Sequence, residues 1–355
     1  MRHYYILTIN PGSTSTKIAF YQNIEPLFTE TIRHKMDELA QFPRIIEQLP
    51  FRRDKIMNFL KDKDIPLTRL SAVVGRGGLL RPLPSGTYRV NEKMLKDLRE
   101  GSYGEHASNL GALLAAEIAS EAGVLAYVVD PPCVDELDPL ARVSGCPEIE
   151  RRSLFHALNV KAVARRVCRE LGERLENINL LVAHMGGGIS VCALKRGKVI
   201  DVNNALAEGP FSPERAGGLP TLELARLCFS GRYTWAEVYK KLVGQGGLVA
   251  YLGTQDATEV EKRIEQGDEK ARLIYEAMAY QVAKELGSMA AVLKGEVRAI
   301  VFTGGLAYSS RLTSWIKERV EFIAPVLIYP GEDEMKALAE GALRVLMGEE
   351  KALEY

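Results

Sequence analysis

The chain opens on an apolar run over residues 4–9, breaks at Asn10, Pro11, Gly12 and Ser13, and resumes over 15–21. β-Forming residues on either side of a glycine- and proline-bearing turn predict a hairpin, and Gln22-Asn23 turns the chain into a third strand over about 25–32. Helices and strands then alternate, among them a strand over 72–74, a helix over 105–122 and a strand over 125–129 that ends at Asp130. The opening pattern returns in the second half. An apolar run over 180–183 meets the turn Gly186-Gly187-Gly188, a strand follows over 189–195, and Arg196-Gly197 leads into a third over 198–202. Side by side, ILTINPGSTSTKIAF and LLVAHMGGGISVCAL share the order apolar strand, polar residue, glycine turn, strand, which predicts an internal duplication. A third glycine turn, Gly304-Gly305, follows a strand over 298–303 and runs into a helix ending near Glu321; strand, turn and helix N-terminus together predict an anion or nucleotide site. Last, Met335, Leu338, Ala339, Ala342, Leu343 and Leu346 recur at helical spacing behind Glu332, Asp333 and Glu334, a packed amphipathic helix opened by acids.

At about 150 residues per domain, 355 residues predict two domains. No low-complexity tether separates them, so the boundary is expected as a hinge near Arg151: an α/β domain over 1–150, a second over 151–332, and a C-terminal segment, 333–355, that packs back on the first. Lys plus Arg and Asp plus Glu each number 46, so there is no basic surplus for a nucleic-acid backbone. Charge interrupts every apolar stretch short of the roughly 20 residues a bilayer requires, and the N-terminus lacks a signal-peptide pattern. Cys133, Cys146, Cys168, Cys192 and Cys228 form no CxxC pair, which argues against disulfides and zinc and for a reducing, cytoplasmic setting. His3, His34, His106, His156 and His184 lack i,i+4 pairing, so oxygen ligands are expected for any metal.

The segment NPGSTSTK, residues 10–17, presents backbone N–H groups and hydroxyls as an anion cradle does. It is not a Walker A motif, since no glycine directly precedes Lys17, and alone it reads better as an ordinary solvated hairpin. Its echo at HMGGG changes that, because two glycine turns can grip the two ends of a polyphosphate. The ordered set INPGSTSTK, GRGG, VVDPP, RRSLFHALN, AHMGGGISV, PFSPERAGG and VFTGG resembles the acetate kinase family, and within it the butyrate and branched-chain fatty-acid kinases, from Ile6 to about Met347. The resemblance implies a two-domain actin-like ATPase (ribonuclease H-like) fold with a duplicated, mixed five-stranded sheet. It also implies direct in-line transfer of the γ-phosphoryl group of MgATP to a carboxylate, giving an acyl phosphate and ADP.

Carried over residue by residue, the resemblance makes Arg76 the clamp on the acid, Arg215 the arginine aimed at the moving phosphoryl and His156 a donor to it in the transition state. Asp130 would orient the metal or Arg76. Asn10, Ser13, Ser15 and Lys17 would hold phosphates together with His184, Gly186, Gly187 and Gly188, and adenosine would lie on Gly304 and Gly305. Asp333 is the first choice for Mg2+, with Glu332, Glu334 and Asn10 beside it; acids stabilising a helix N-terminus are the competing explanation. Departures from the family bear on the acid. Gly187 replaces an asparagine, no histidine separates Arg76 from Gly77 and Gly78, and Pro131, Pro132, Cys133 and Val134 stand where acetate kinases have AFHQ. A roomier acyl pocket lined by Gly77, Gly78, Pro132 and Phe155 is expected, with butyrate preferred and acetate, propionate or isobutyrate as alternatives. The family further implies a homodimer or larger assembly. Two other readings stay open at this point. A sugar kinase of the same fold would need a carboxylate base, and a non-catalytic ATP-binding module of the actin or Hsp70 kind would carry aspartate where Asn10 stands.

Overall fold

The computed structural model describes residues 3–355. They form two compact units, Met1–Val134 with Asp333–Tyr355, and Asp135–Glu332. In the first, β1 (Tyr5–Pro11) and β2 (Ser15–Gln22) form the opening hairpin and β3 (Glu25–Arg33) extends it. β4 (Ala72–Gly75), β5 (Thr87–Arg89), β6 (Leu125–Val129) and β12 (Leu353–Glu354) complete a sheet of order β12-β5-β6-β4-β1-β2-β3. The second unit holds β7 (Asn179–Met185), β8 (Ile189–Lys195), β9 (Lys198–Val202), β10 (Ala299–Gly304) and β11 (Val326–Pro330) in the order β11-β10-β7-β8-β9.

The duplication extends to strand direction. β1 pairs antiparallel with β2 and parallel with β4, as β7 does with β8 and β10, and β6 and β11 add in parallel at equivalent positions. Even the irregularity recurs: register shifts fall at Phe20/Tyr21 against β3 and at Ala193/Leu194 against β9. One expectation is corrected. The first sheet has seven strands rather than five, because β5 pairs antiparallel with β6 and β12 joins β5. Tyr355, whose hydroxyl donates to Asp97 at 2.8 Å, anchors that added edge.

The boundary falls after Val134, ahead of Arg151. Residues 135–150 belong with the second unit because their polar groups bond there. Lys161 Nζ and the Val199 N–H both donate to Glu136 Oε2, at 2.5 and 2.9 Å; the Asp138 N–H donates to Ile200 O at 2.9 Å, and Arg151 Nη1 to Ala141 O at 2.8 Å. The helix expected from 105 begins later, as Asn109–Ala122. Asn109 is occupied at its entrance, accepting from the Leu79 N–H at 2.9 Å and donating to Gly104 O at 2.8 Å. A short turn, Gly305–Tyr308, likewise separates Gly304 from the helix Ser310–Val320, which Ser309 caps by accepting from the Leu312 N–H at 2.9 Å. The two glycines therefore open a single 3-10 turn rather than the α-helix itself. The second unit's core gathers Leu181, Val191, Tyr275, Met278, Leu286 and Phe302 between the sheet and the helix Glu269–Val292.

Candidate active site

In the first unit β1 runs parallel to β4 with Ile9 opposite Gly75, and the Arg76 N–H donates to Ile9 O at 2.8 Å, so Asn10 and Arg76 leave the sheet side by side. A Cβ on Gly75 or Gly111 would strike the other's side of this close strand–helix approach, at the Gly111 carbonyl and the Arg76 carbonyl respectively. Neighbouring Gly77 and Gly78 are buried, packed on Pro131 with Val128 and on Asn109. Tight chain packing thus accounts for their missing side chains. Glu334 joins the two strand ends. It accepts from Asn10 Nδ2 at 2.5 Å on one oxygen and ion-pairs with Arg76 Nη1 on the other. Arg76 Nε is buried without a partner.

The other first-unit candidates lie around this cluster or apart from it. Lys17 faces Asn10 in the β1–β2 register and is exposed, as is Ser13; Ser15 is partly exposed. Asp333 accepts from the Lys336 N–H at 3.2 Å and so caps the helix Glu334–Leu346. Asp130 is almost wholly buried at φ +39°, and its Oδ1 accepts from Ser85 Oγ at 2.6 Å and from the Gly86 N–H at 2.8 Å. Pro132, next along, is partly exposed.

In the second unit the next-to-last residue of β7 is His184, which has no exposed surface and stacks on His156 with ring centroids 4.2 Å apart. His156 precedes the helix Ala157–Leu171, beside the buried Phe155, and its Nδ1 lies 2.9 Å from Ser190 Oγ on β8. Neither His184 nitrogen has a hydrogen-bond partner, although Glu332 Oε1 approaches Nε2 to 3.0 Å. Acidic and basic groups then surround the glycine turn. A Cβ on Gly186 would sit 3.3 Å from Glu332 Oε1, and one on Gly187 3.3 Å from Glu214 Oε1. At Gly188 it would land on the Arg215 guanidinium. Arg215 lies across the turn, donating from Nη1 to Ala205 O at 2.9 Å, with Nε buried and unpartnered; burial lowers its proton affinity, against the pull of Glu214. Ser212 Oγ donates to Gly187 O at 2.6 Å. Gly304, at φ +90°, closes on the Met185 backbone, whereas Gly305 is exposed with open space where a Cβ would be.

The structure therefore brings together Asn10 and Arg76 in one unit, and His156, His184, the glycine turn, Arg215 and Glu332 in the other. Glu334 carries the first cluster although Asp333 had the stronger claim from spacing. Ser190, Ser212 and Glu214 also border these clusters; all three lie inside the motifs AHMGGGISV and PFSPERAGG, where nothing in the spacing sets them apart from their neighbours. His106, named above only for its lack of a helical metal-site spacing, has its proton affinity lowered by desolvation first and by the Arg76 charge second, and its Nδ1 lies 2.8 Å from Ser108 Oγ.

Compared with known proteins, residues 148–323 match the acetokinase family. Butyrate kinase 2 of Clostridium acetobutylicum is 57% identical over 351 residues, 99% of this chain and 99% of that protein. Crystal structures of Porphyromonas gingivalis acetate kinase (TM-score 0.78, 20% identity, 97% of this chain and 100% of that one) and of a propionate kinase from Francisella tularensis (0.75, 18%, 95% and 98%) share the fold. The duplicated mixed sheets are consistent with an actin-like ATPase fold, and, with 57% identity over nearly its whole length, the chain belongs to the acetokinase family.

Proposed function

We propose that this protein is a butyrate kinase, moving the γ-phosphoryl group of ATP reversibly onto butyrate to give butyryl phosphate and ADP. The observation that carries this is the 57% identity, end to end, with the Clostridium acetobutylicum enzyme. One carboxylate oxygen forms a bond to the γ-phosphorus while the bond to the β–γ bridging oxygen breaks and ADP takes that electron pair. A carboxylate is already ionised near pH 7, so no general base is needed, and direct transfer requires no phospho-enzyme. The task left to the protein is positioning and charge stabilisation.

Arg76, held by Glu334 on one side with Nε unpartnered, clamps the acid. Arg215, flat on the glycine turn, meets charge on the transferring phosphoryl, and His156, fixed by Ser190 and His184, donates to it. Asn10, Ser13, Ser15 and Lys17 in the first unit, and His184 with the turn 186–188 in the second, take the phosphates; the open face at Gly305, beside Gly304, takes adenosine. Asp130 acts by bracing the Ser85–Gly86 turn. Phe155, Pro132 and the Gly77-Gly78 backbone border the acyl chain. Mg2+ takes one or two carboxylates with phosphates and waters; Glu334, Asp333 and Asn10 fit it in one unit and Glu332 in the other, and when bound it neutralises phosphate oxygens. Among the described residues no helix is long and apolar enough to cross a membrane. The enzyme would act on small molecules in the cytoplasm. The helix Thr221–Cys228 has no buried residue, and Phe229 and Trp235 beside it are 92% and 75% exposed, which supports assembly with further copies of the chain.

Incubation with MgATP, hydroxylamine and straight or branched acids of two to five carbons tests the proposal. Hydroxamate should form, fastest per unit concentration from butyrate. No hydroxamate from any acid, with ATP hydrolysis intact, would instead point to an ATP-driven module.

A further inference from the structure

The turn between β1 and β2 has a second side, away from the proposed phosphates. Beneath it lies Arg52, from the helix Leu49–Asp62, with no exposed surface. Its Nη1 donates to Gly12 O at 2.8 Å, Ser15 O at 3.0 Å and Thr16 Oγ1 at 3.2 Å, and its Nη2 to Ser13 O at 3.1 Å. Gln48 Oε1 accepts from Nε at 3.1 Å and from Nη2 at 2.8 Å. Every partner is a neutral oxygen, and no carboxylate among the described residues pairs with the guanidinium. Burial lowers its proton affinity only to about 10, so the charge persists at neutral pH.

A fully buried cation without a countercharge is costly, and proteins ordinarily pair such groups. Peptide geometry indicates where the countercharge comes from. In a planar trans peptide the carbonyl and the following N–H point opposite ways. With the Gly12 and Ser13 carbonyls drawn down onto Arg52, the N–H groups of Ser13 and Thr14 are turned up, on residues that are exposed. Upturned N–H groups in succession receive anions, and here a whole positive charge stands directly behind them.

We propose that Arg52 is a positioning residue for the nucleotide: it holds residues 12–16 in the phosphate-receiving conformation, and its unpaired charge is answered by the phosphates of ATP. This rests on the reading of the turn as part of the ATP site. It predicts selective loss of nucleotide affinity, where a purely structural plug would affect both substrates or only stability.

The test uses the full-length chain with Arg52→Gln, Arg52→Lys and Gln48→Leu, each checked for a cooperative melt, with kinetics for both substrates and ADP binding by calorimetry. Arg52→Gln should raise the ATP KM and the ADP Kd about tenfold or more, while the butyrate KM moves less than about twofold. Lysine keeps a charge but cannot span the carbonyls, so Arg52→Lys should fall between. Should Arg52→Gln fail to fold, Arg52→Lys and Gln48→Leu decide, with an expected rise of about threefold in ATP KM alone. Wild-type nucleotide affinity in the folded variants, or equal rises in both KM values, overturns the proposal. If the wild-type protein binds ADP yet makes no butyryl phosphate, the kinase reading fails, and ADP affinity still judges Arg52.

Discussion

At Gly188 the absence of a side chain makes room for a guanidinium, because Arg215 occupies the space a Cβ would need. Gly188→Ala should therefore displace Arg215 and lower kcat by about 10²-fold, as loss of a preorganised donor to developing charge does. Arg215→Ala should lower it at least as far, and the double variant little further, since both act through the same group; additive losses in steady-state kinetics would refute the link. His34 gives a pH prediction. Its ring is held down from the usual 6.5 to about 4, by burial first and by Arg52 second, with Glu38 pulling the other way and Lys55 adding to the lowering. Its Nε2 lies 2.8 Å from Thr16 Oγ1. Between those two values the unfolded chain binds a proton that the folded chain refuses, so this contribution is complete above about 6.5 and is lost as pH falls toward 4. Melting temperatures from pH 7.5 to 4.5 should drop less steeply for His34→Gln than for wild type. Parallel curves would remove His34 from the acid sensitivity of the turn.

The hairpins were legible because their strands are continuous apolar runs punctuated by glycine turns, and the two turns bear comparable neighbours: β8 and β9 stand over the ranges expected. What was not legible came from pairings distant in sequence. β12 is two residues long and exists through β5, and Glu334 could not be chosen over Asp333 by counting, since its claim comes from Asn10, 324 positions away. The terminal helix Glu334–Leu346 shows how such an element is seated. Gly341 faces β6 so closely that a Cβ would meet both γ-carbons of Val129, and Thr87 Oγ1 donates to the Gly341 carbonyl at 3.2 Å. Gly341→Val, which forces helix and sheet apart, should destabilise the protein by about 1–3 kcal/mol. Urea titration would show this as a lower midpoint at unchanged slope; an unchanged midpoint would mean that helix and sheet are not locked at this position.

The chain passes between its two units twice, after Val134 and after Glu332, so the second unit is one continuous segment and the first is not. Their independence should differ accordingly. Residues 135–332 contain all five strands of their sheet and the core around Tyr275 and Met278, with nothing missing from the order β11-β10-β7-β8-β9. Residues 1–134 lack the helix that buries Met335, Leu338 and Leu343 on the first sheet. At about 1.5–3 kcal/mol for each large apolar side chain buried, that loss is comparable to the roughly 5–15 kcal/mol by which a whole domain is stable. Expressed separately, 135–332 should melt cooperatively, whereas 1–134 should give no cooperative transition by circular dichroism until the segment 333–355 is supplied in trans. A cooperative melt of 1–134 alone would show that the opening hairpin and β4–β6 suffice, and that the returning helix serves mainly to deliver Glu334 to Asn10 and Arg76.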